Sequence, residues 1–212
     1  MVNPTTALRM LTDYVTLGQG DVVVQNAGNS AVGQYVGQIS RARGYTCVSV
    51  VRDRPDFDAT AVLLKSQGAA HVVRPADLAA LVAAHPEWKV RLAFNAVGPA
   101  PEIISVLSPG AIFVTYGAMT SDPLAINPGL FIIKDLTLKG FWLSQWGKTA
   151  PAGAYRAMID ELIAMYGTGA LQTPEFAEIV VAAENPDHKA IVDGIAAAGA
   201  SFLGRKQLIV FQ

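Results

Sequence analysis

Along the chain, short runs of β-branched and apolar residues alternate with stretches whose apolar positions recur every three or four residues. Pro4 to Tyr14 puts Ala7, Leu8 and Leu11 on one face, with Val15 beyond, the spacing of an amphipathic helix. Gly18 and Gly20 end it. Asp21 opens Val22-Val23-Val24, a strand apolar on both faces. Residues 30–42, with Val32, Val36, Ile39 and Ala42 in helical register, predict a helix. Thr46 to Val51 predicts a strand, Phe57 to Gln67 a helix closed by Gly68, and His71 to Val73 a short strand. The second half continues in kind. Helices are expected at Leu78 to Ala84, Pro101 to Leu107, Ala152 to Tyr166 and Asp187 to Ala198. Strands are expected at Leu92 to Ala96, Ala111 to Tyr116, Thr137 to Leu143, Glu178 to Val181 and Gln207 to Phe211.

This alternation predicts βαβ units and an α/β fold with a doubly wound, mainly parallel sheet. Ligands of such sheets bind outside the carboxyl ends of the strands. Candidate chemistry therefore belongs in the turns that follow each strand.

Composition narrows the classes. Of 212 residues, 51% are hydrophobic and 16% charged, with 16 Lys+Arg against 17 Asp+Glu. That profile excludes intrinsic disorder, and the near-neutral balance argues against a nucleic-acid binder. The single Cys rules out an internal disulfide framework and a Cys-rich zinc site. The three His (His71, His85 and His188) show no ligand spacing, so no metal is expected. Cys47 falls in a buried strand and reads as inert. No apolar run reaches the ~18 residues of a membrane span. Residues 1–20 carry neither a signal-peptide pattern nor an Arg- and Ser-rich transit pattern. The chain reads as soluble, in a reducing compartment.

Gln25-Asn26-Ala27-Gly28-Asn29-Ser30-Ala31-Val32-Gly33 follows the first strand. Set against G-x-G-x-x-G, Gly28 takes the first position, Gly33 the third, and Ser30 replaces the middle glycine. The motif serves a tight turn, close backbone approach, and a helix N-terminus aimed at a pyrophosphate. Ser30 suits either a helix cap or a hydrogen bond to phosphate. The competing reading is a strand-to-helix turn with no ligand.

After the second strand comes Arg52-Asp53-Arg54-Pro55. An NAD site carries an acidic residue here for the ribose hydroxyl. A cation flanked by a second instead suits a 2′-phosphate, which takes charge-assisted, bidentate donors. The alternative is a pair of solvated arginines with Asp53 as their local counter-ion.

With these motifs on the page, the chain resembles the medium-chain dehydrogenase/reductase superfamily, and within it the mitochondrial trans-2-enoyl-CoA (2-enoyl thioester) reductases. The resemblance runs from Asn3 to the C-terminus. It is carried by Asn3-Pro4-Thr5-Thr6-Ala7, the glycine turn, Val51-Arg52-Asp53-Arg54-Pro55, Thr115-Tyr116-Gly117-Ala118-Met119 and Gly140-Phe141-Trp142-Leu143-Ser144-Gln145-Trp146. It implies NADPH as cofactor, with Asn3 near it and Asn29, Ser30, Ala31 and Val32 on the pyrophosphate. Arg52, Asp53 and Arg54 would surround the 2′-phosphoadenosine. Tyr116, Gly117, Ala118 and Met119, with Phe141, Trp142, Leu143 and Ser144, would line the nicotinamide side, and Lys206 would add a cofactor contact. Without the resemblance, Asn3 would read as a helix cap before Pro4, Tyr116 as packing, Trp142 and Trp146 as core aromatics, and Lys206 as a solvent-facing strand residue.

The resemblance also implies a Rossmann-like NADP-binding domain over residues 1–165. Residues 166–212 would be strand elements of a GroES-like catalytic domain. That domain precedes the helix near Asn3 in the family and carries a tyrosine that protonates substrate. No residue here matches that tyrosine, so no catalytic residue is assigned within the chain. The final strand, Gln207 to Phe211, is expected to lose partners and expose an apolar edge, favouring a homodimer or a complementary chain. The implied activity is NADPH-dependent reduction of trans-2-enoyl thioesters (enoyl-CoA or enoyl-ACP), with this chain supplying the cofactor half. The alternatives are a non-catalytic NADPH-binding module and a quinone oxidoreductase. Localisation is mitochondrial by resemblance, with no targeting segment in this chain, no nucleic acid and no membrane span.

Overall fold

β1 (Val22–Asn26) is buried along its whole length, and alternate residues serve different cores. Val23 joins one cluster with Cys47, Leu92, Phe94 and Val114; Val22 and Val24 join another with Val48, Val50, Ala93 and Phe113. This two-faced burial is why the strand reads as an unbroken apolar run. The computed structural model describes residues 2–174, 176–181, 187–200 and 206–211, which divide into two compact units, Met1–Gln172 and Thr173–Gln212.

In the first unit, β2 (Thr46–Val50), β3 (His71–Val73), β4 (Val90–Asn95), β5 (Ile112–Thr115) and β6 (Thr137–Gly140) join β1 in a six-stranded sheet of order β3-β2-β1-β4-β5-β6. Every pairing in it is parallel. The order reverses between β1 and β4, as in the doubly wound dinucleotide-binding folds. α1 (Val2–Thr12), α2 (Ala31–Ala42) and α8 (Ala154–Gly167) cover one face through Ala7, Leu8, Leu11, Val36, Ile39, Met158 and Leu162. α4 (Leu78–Ala83) and α5 (Pro101–Val106) cover the other through Leu78, Ile103 and Ile104. α3 (Phe57–Ser66) closes a small third cluster with Phe57 and Leu64 against Val51 and Val72.

Three local results differ from the sequence pattern. Asn3 is not a cap, because α1 begins at Val2 and holds Pro4 in its first turn, where a missing N–H costs nothing. The strand expected from Thr137 to Leu143 stops at Gly140, and Leu143 opens α7 (Leu143–Thr149). α6 (Pro128–Ile133) follows an Asn127 cap, whose side chain accepts from Gly129 N–H at 2.8 Å, and a Pro at its first position.

The first unit extends seven residues beyond 165, to Gln172. Leu171 is buried in its core, and Gln172 exchanges hydrogen bonds with the Gln38 side chain at 2.6 and 3.2 Å.

The second unit holds β7 (Phe176–Val181), α9 (His188–Ala200) and β8 (Lys206–Phe211). The two strands pair in parallel from Phe176↔Lys206 to Val181↔Phe211. β7 satisfies one edge of β8. Leu208 and Phe211 are nonetheless exposed.

Candidate functional site

The strand order reverses where β1 and β4 lie side by side, and a parallel sheet opens a crevice there, beyond its strand ends. Buried amides bolt the two ends together. Asn26 Nδ2 donates to Asn95 Oδ1 at 2.7 Å, and Asn26 Oδ1 accepts from Ala96 N–H at 2.8 Å. Asn95 Oδ1 also takes the N–H groups of Val97 and Gly98 at 3.1 and 3.3 Å, and its Nδ2 donates to Gly98 O at 2.9 Å. Both asparagines are almost wholly buried.

The turn from β1 into α2 shapes one wall. Gly28 leaves no room for a side chain, since a Cβ there would sit 2.6 Å from Ser49 Cβ; at Gly33 it would sit 2.6 Å from Ala27 O. Ala27 takes a φ of 50°, a backbone conformation uncommon outside glycine and found at tight functional turns. Ser30 caps α2, its Oγ accepting from Gly33 N–H at 3.1 Å. Of the two roles open to Ser30, the structure displays the cap. Asn29, Ser30, Ala31 and Val32 thus lie where the first-turn N–H groups of α2 end, half-buried.

The turn after β5 is laid against the turn after β4. Tyr116 N–H donates to Asn95 O at 2.9 Å, and Met119 N–H to Ala96 O at 3.0 Å. This brings Tyr116, Gly117, Ala118 and Met119 beside the asparagine pair. The Tyr116 ring packs on the core around α1 and α2. Among the described residues no group meets its buried hydroxyl at full hydrogen-bond geometry, Ser30 being the polar neighbour. Burial pushes that phenol up to about 12, with Ser30 pulling weakly the other way.

After β6, Phe141 is buried and meets Tyr14 edge-on at 6.5 Å. Trp142 is 65% exposed, so it is not a core aromatic; Lys148 Nζ lies 5.9 Å from its ring. Trp146, one helical turn on, is partly buried beneath the Arg9 guanidinium at 4.7 Å. Leu143 packs on the core edge, and Ser144 is exposed in the first turn of α7.

After β2, Arg52 and Asp53 are exposed and Arg54 is half-buried. Arg54 is held below the ordinary arginine value by desolvation and then by the like charge of Arg52. Asp53 is not the counter-ion of these two: its Oδ1 accepts from Arg74 Nε at 2.7 Å. Arg74 was not legible as a site residue, because its partner lies on the neighbouring strand's turn.

Asn3 is half-buried in the first turn of α1, on the helix that packs against α2. Lys206 opens β8 in the second unit, and its side chain lies outside the described residues. Cys47 is buried, and burial raises its thiol to about 11, which leaves it a small hydrophobe. His71 and His85 pack with Trp88, His85 stacking on the indole at 4.0 Å. Among the described residues, no group of three or more His, Cys, Asp or Glu is placed to hold a metal ion. No helix among them is long and apolar enough to cross a membrane.

The fold and this crevice define a Rossmann-like α/β domain of the dehydrogenase type. The chain belongs to the zinc-binding dehydrogenase family, which it matches over residues 31–164, and with it to the medium-chain dehydrogenase/reductase superfamily. The zinc in that description finds no donor set among the described residues. The human mitochondrial enoyl-[acyl-carrier-protein] reductase is 42% identical over 188 residues, which take in 84% of this chain and 49% of the relative. A mitochondrial 2-enoyl thioester reductase heterodimer, Etr1p/Etr2p, from Candida tropicalis matches 98% of the chain and 59% of its own, with a TM-score of 0.87 and 31% identity. A complex of Etr1p with NADP and crotonyl-CoA matches equally well, with a TM-score of 0.87, 31% identity, and cover of 99% of this chain and 59% of that one. The chain thus spans about half the length of the curated relatives it matches.

Proposed function

We propose that this chain binds NADPH in the crevice at the carboxyl edge of its six-stranded sheet and supplies the cofactor half of a trans-2-enoyl thioester reductase. The observation that carries the reading is the crowded guanidinium pair of Arg52 and Arg54 past β2, with the neighbouring carboxylate drawn away to Arg74. Two guanidiniums at the adenosine end of such a fold, with the Asp56 carboxylate acting on Arg54, suit a 2′-phosphate. The buried Tyr116 hydroxyl beside the α2 N-terminus, with only Ser30 near it, also fits a polar ligand.

In this reading the free N–H groups of the first turn of α2 meet the pyrophosphate, aided by the helix dipole. Ser30 keeps α2 capped. Arg52 and Arg54 hold the 2′-phosphate. The backbone of Gly117 and Ala118 approaches the nicotinamide edge, and Tyr116 donates its hydroxyl proton to the ligand. Phe141, Trp142 and Leu143 exclude water and shape the acyl entrance, with Ser144, Met119 and Asn3 as further contacts. The bound nicotinamide supplies the hydride that goes to the β-carbon. No residue of this chain is assigned the proton delivered to the α-carbon.

NADPH is expected to bind at least about tenfold more tightly than NADH, the difference that one charge-assisted contact of roughly 1.4 kcal/mol makes; intrinsic-fluorescence titration with both nucleotides checks it. Once a complementary catalytic half supplies the proton donor, crotonyl-CoA, rather than a quinone, is expected to raise the rate of NADPH oxidation. Equal affinities would sink the phosphate assignment, and a quinone preference would sink the substrate class.

The same reading places the chain in mitochondria, as the names of its relatives do theirs, and gives it a second copy or a complementary chain. Support comes from the outer strand of the sheet. All four residues of β6 are exposed, Leu138 among them, and Ile132 (74%) and Ile133 (81%) are exposed on the preceding helix α6. An apolar open edge of this kind invites pairing. Light scattering at roughly tens of micromolar, a common association range, is expected to give a mass above the 22.4 kDa of one chain. Leu138→Lys should shift it downward.

A further inference from the structure

At the end of β3, Val51 N–H donates to Val73 O at 2.9 Å, which sets the next residue, Arg74, beside the β2 turn. Its Nε reaches Asp53 Oδ1 at 2.7 Å, and its guanidinium carbon lies 3.8 Å from the centroid of the Phe57 ring. Phe57 is a buried member of the small core under α3. The ring is thus a fixed platform, and a cation over an aromatic face is held in place. The other charges acting on Arg74 are the carboxylates of Asp58 and Asp77. Removing Arg74 takes away a cation that faces Asp53, Asp58 and Asp77 together, next to the Arg52–Arg54 turn.

We propose that Arg74 is a specificity-determining positioning residue, which holds the Asp53 carboxylate aside so that the β2 turn meets the adenosine end of a dinucleotide as a net cation. The inference rests on the NADPH reading and deepens it. Released, Asp53 has two courses, and both favour the wrong cofactor. It can neutralise the neighbouring Arg52 or Arg54, weakening their grip on a 2′-phosphate. Or it can accept from a ribose 2′-hydroxyl, the role an acidic residue plays at this turn in NAD-binding folds. Arg74 closes off both without touching the phosphate. The surface pair alone is weak; the Phe57 platform is what keeps it formed.

The test is a titration of the full chain with NADPH, NADH, 2′-AMP and 5′-AMP, comparing wild type with Arg74→Met and with Asp53→Asn/Arg74→Met. Methionine keeps the apolar stem over Phe57 and removes the charge. Arg74→Met is expected to weaken NADPH and 2′-AMP about three- to tenfold, the size of one solvent-screened charge, and to leave NADH and 5′-AMP unchanged or slightly tighter. Adding Asp53→Asn is expected to restore the ratio to near wild type, which a merely structural role for Arg74 would not do. An unchanged NADPH/NADH ratio in Arg74→Met, or no recovery in the double variant, overturns the inference. Arg52→Ala/Arg54→Ala separates the two levels. If that double variant loses the preference while Arg74→Met keeps it, only the role of Arg74 falls. If it keeps the preference, or if the wild-type chain binds neither nucleotide, the NADPH reading falls and takes this inference with it.

Discussion

Replacing Arg52 and Arg54 together with alanine is expected to lower NADPH affinity by about 30- to 100-fold while moving NADH by less than about threefold. Each guanidinium is taken to contribute about 1 to 1.4 kcal/mol, below the roughly 1.5–3 kcal/mol of a hydrogen bond to a charged group, because the turn is solvated. The loss should fall on the phosphate alone, so 2′-AMP should report it as fully as NADPH does, and 5′-AMP hardly at all. Lysine at both positions should recover only part of the affinity, since an ammonium cannot present the paired donors of a guanidinium. The wild-type preference should also shrink as salt rises, because exposed charges are screened over ~10 Å at 0.1 M ionic strength. Isothermal titration at two salt concentrations measures both effects. The sequence alternative, in which the two arginines are quenched by Asp53, forecasts no such loss; the Arg74–Asp53 hydrogen bond already argues against it.

The sheet was legible because its strands are buried on both faces. Val22-Val23-Val24 and Thr46 to Val51 could hardly be anything but central strands once flanked by glycine turns and amphipathic helices. The turns following them were legible for the same reason, since in a parallel sheet each lies on one edge, and that edge is where ligands bind. Two helices escaped. In α6, Leu130-Phe131-Ile132-Ile133 is apolar without a period, and its outer residues are exposed, so no stripe marks it; the Asn127-Pro128 pair was the available signal. In α7, Phe141-Trp142-Leu143 continues the apolar run of β6, and aromatic residues suit strands as readily as helices. The turn there depends on Trp142 O accepting from Gln145 and Trp146 N–H groups at 3.0 Å, which no local propensity announces. Arg74 and Asn95 escaped for a different reason. Their partners lie 21 and 69 residues away in sequence, so their roles exist only once the sheet order is known. Asn95 did leave a trace: it is a polar residue closing the apolar run Leu92-Ala93-Phe94.

That trace leads to the largest expected effect on stability. Asn95→Leu should destabilise the first unit by about 2–4 kcal/mol, as each buried donor or acceptor stripped of its partner costs roughly 1–3 kcal/mol. Leucine is close enough in size that the loss comes from polarity rather than volume. It strands Asn26 Nδ2 and the backbone N–H groups of Val97 and Gly98, which Asn95 Oδ1 now satisfies at 2.7, 3.1 and 3.3 Å. For a chain of this length that corresponds to a fall in melting temperature of roughly 5–15 °C, measurable by circular dichroism. Asn26→Leu should cost less, about 1–3 kcal/mol, because it strands Ala96 N–H while Asn95 Oδ1 keeps the N–H groups of Val97 and Gly98. The double variant should cost clearly less than the two singles combined, because the pair then vanishes together and neither leaves the other's amide unmet. Strict additivity would mean the two amides act independently and that the 2.7 Å contact between them contributes nothing. The same variants should weaken NADPH more than the melting shift alone explains, since the backbone that Asn95 pins, from Ala96 to Gly98, also carries the turn of Tyr116 to Met119 through Ala96 O.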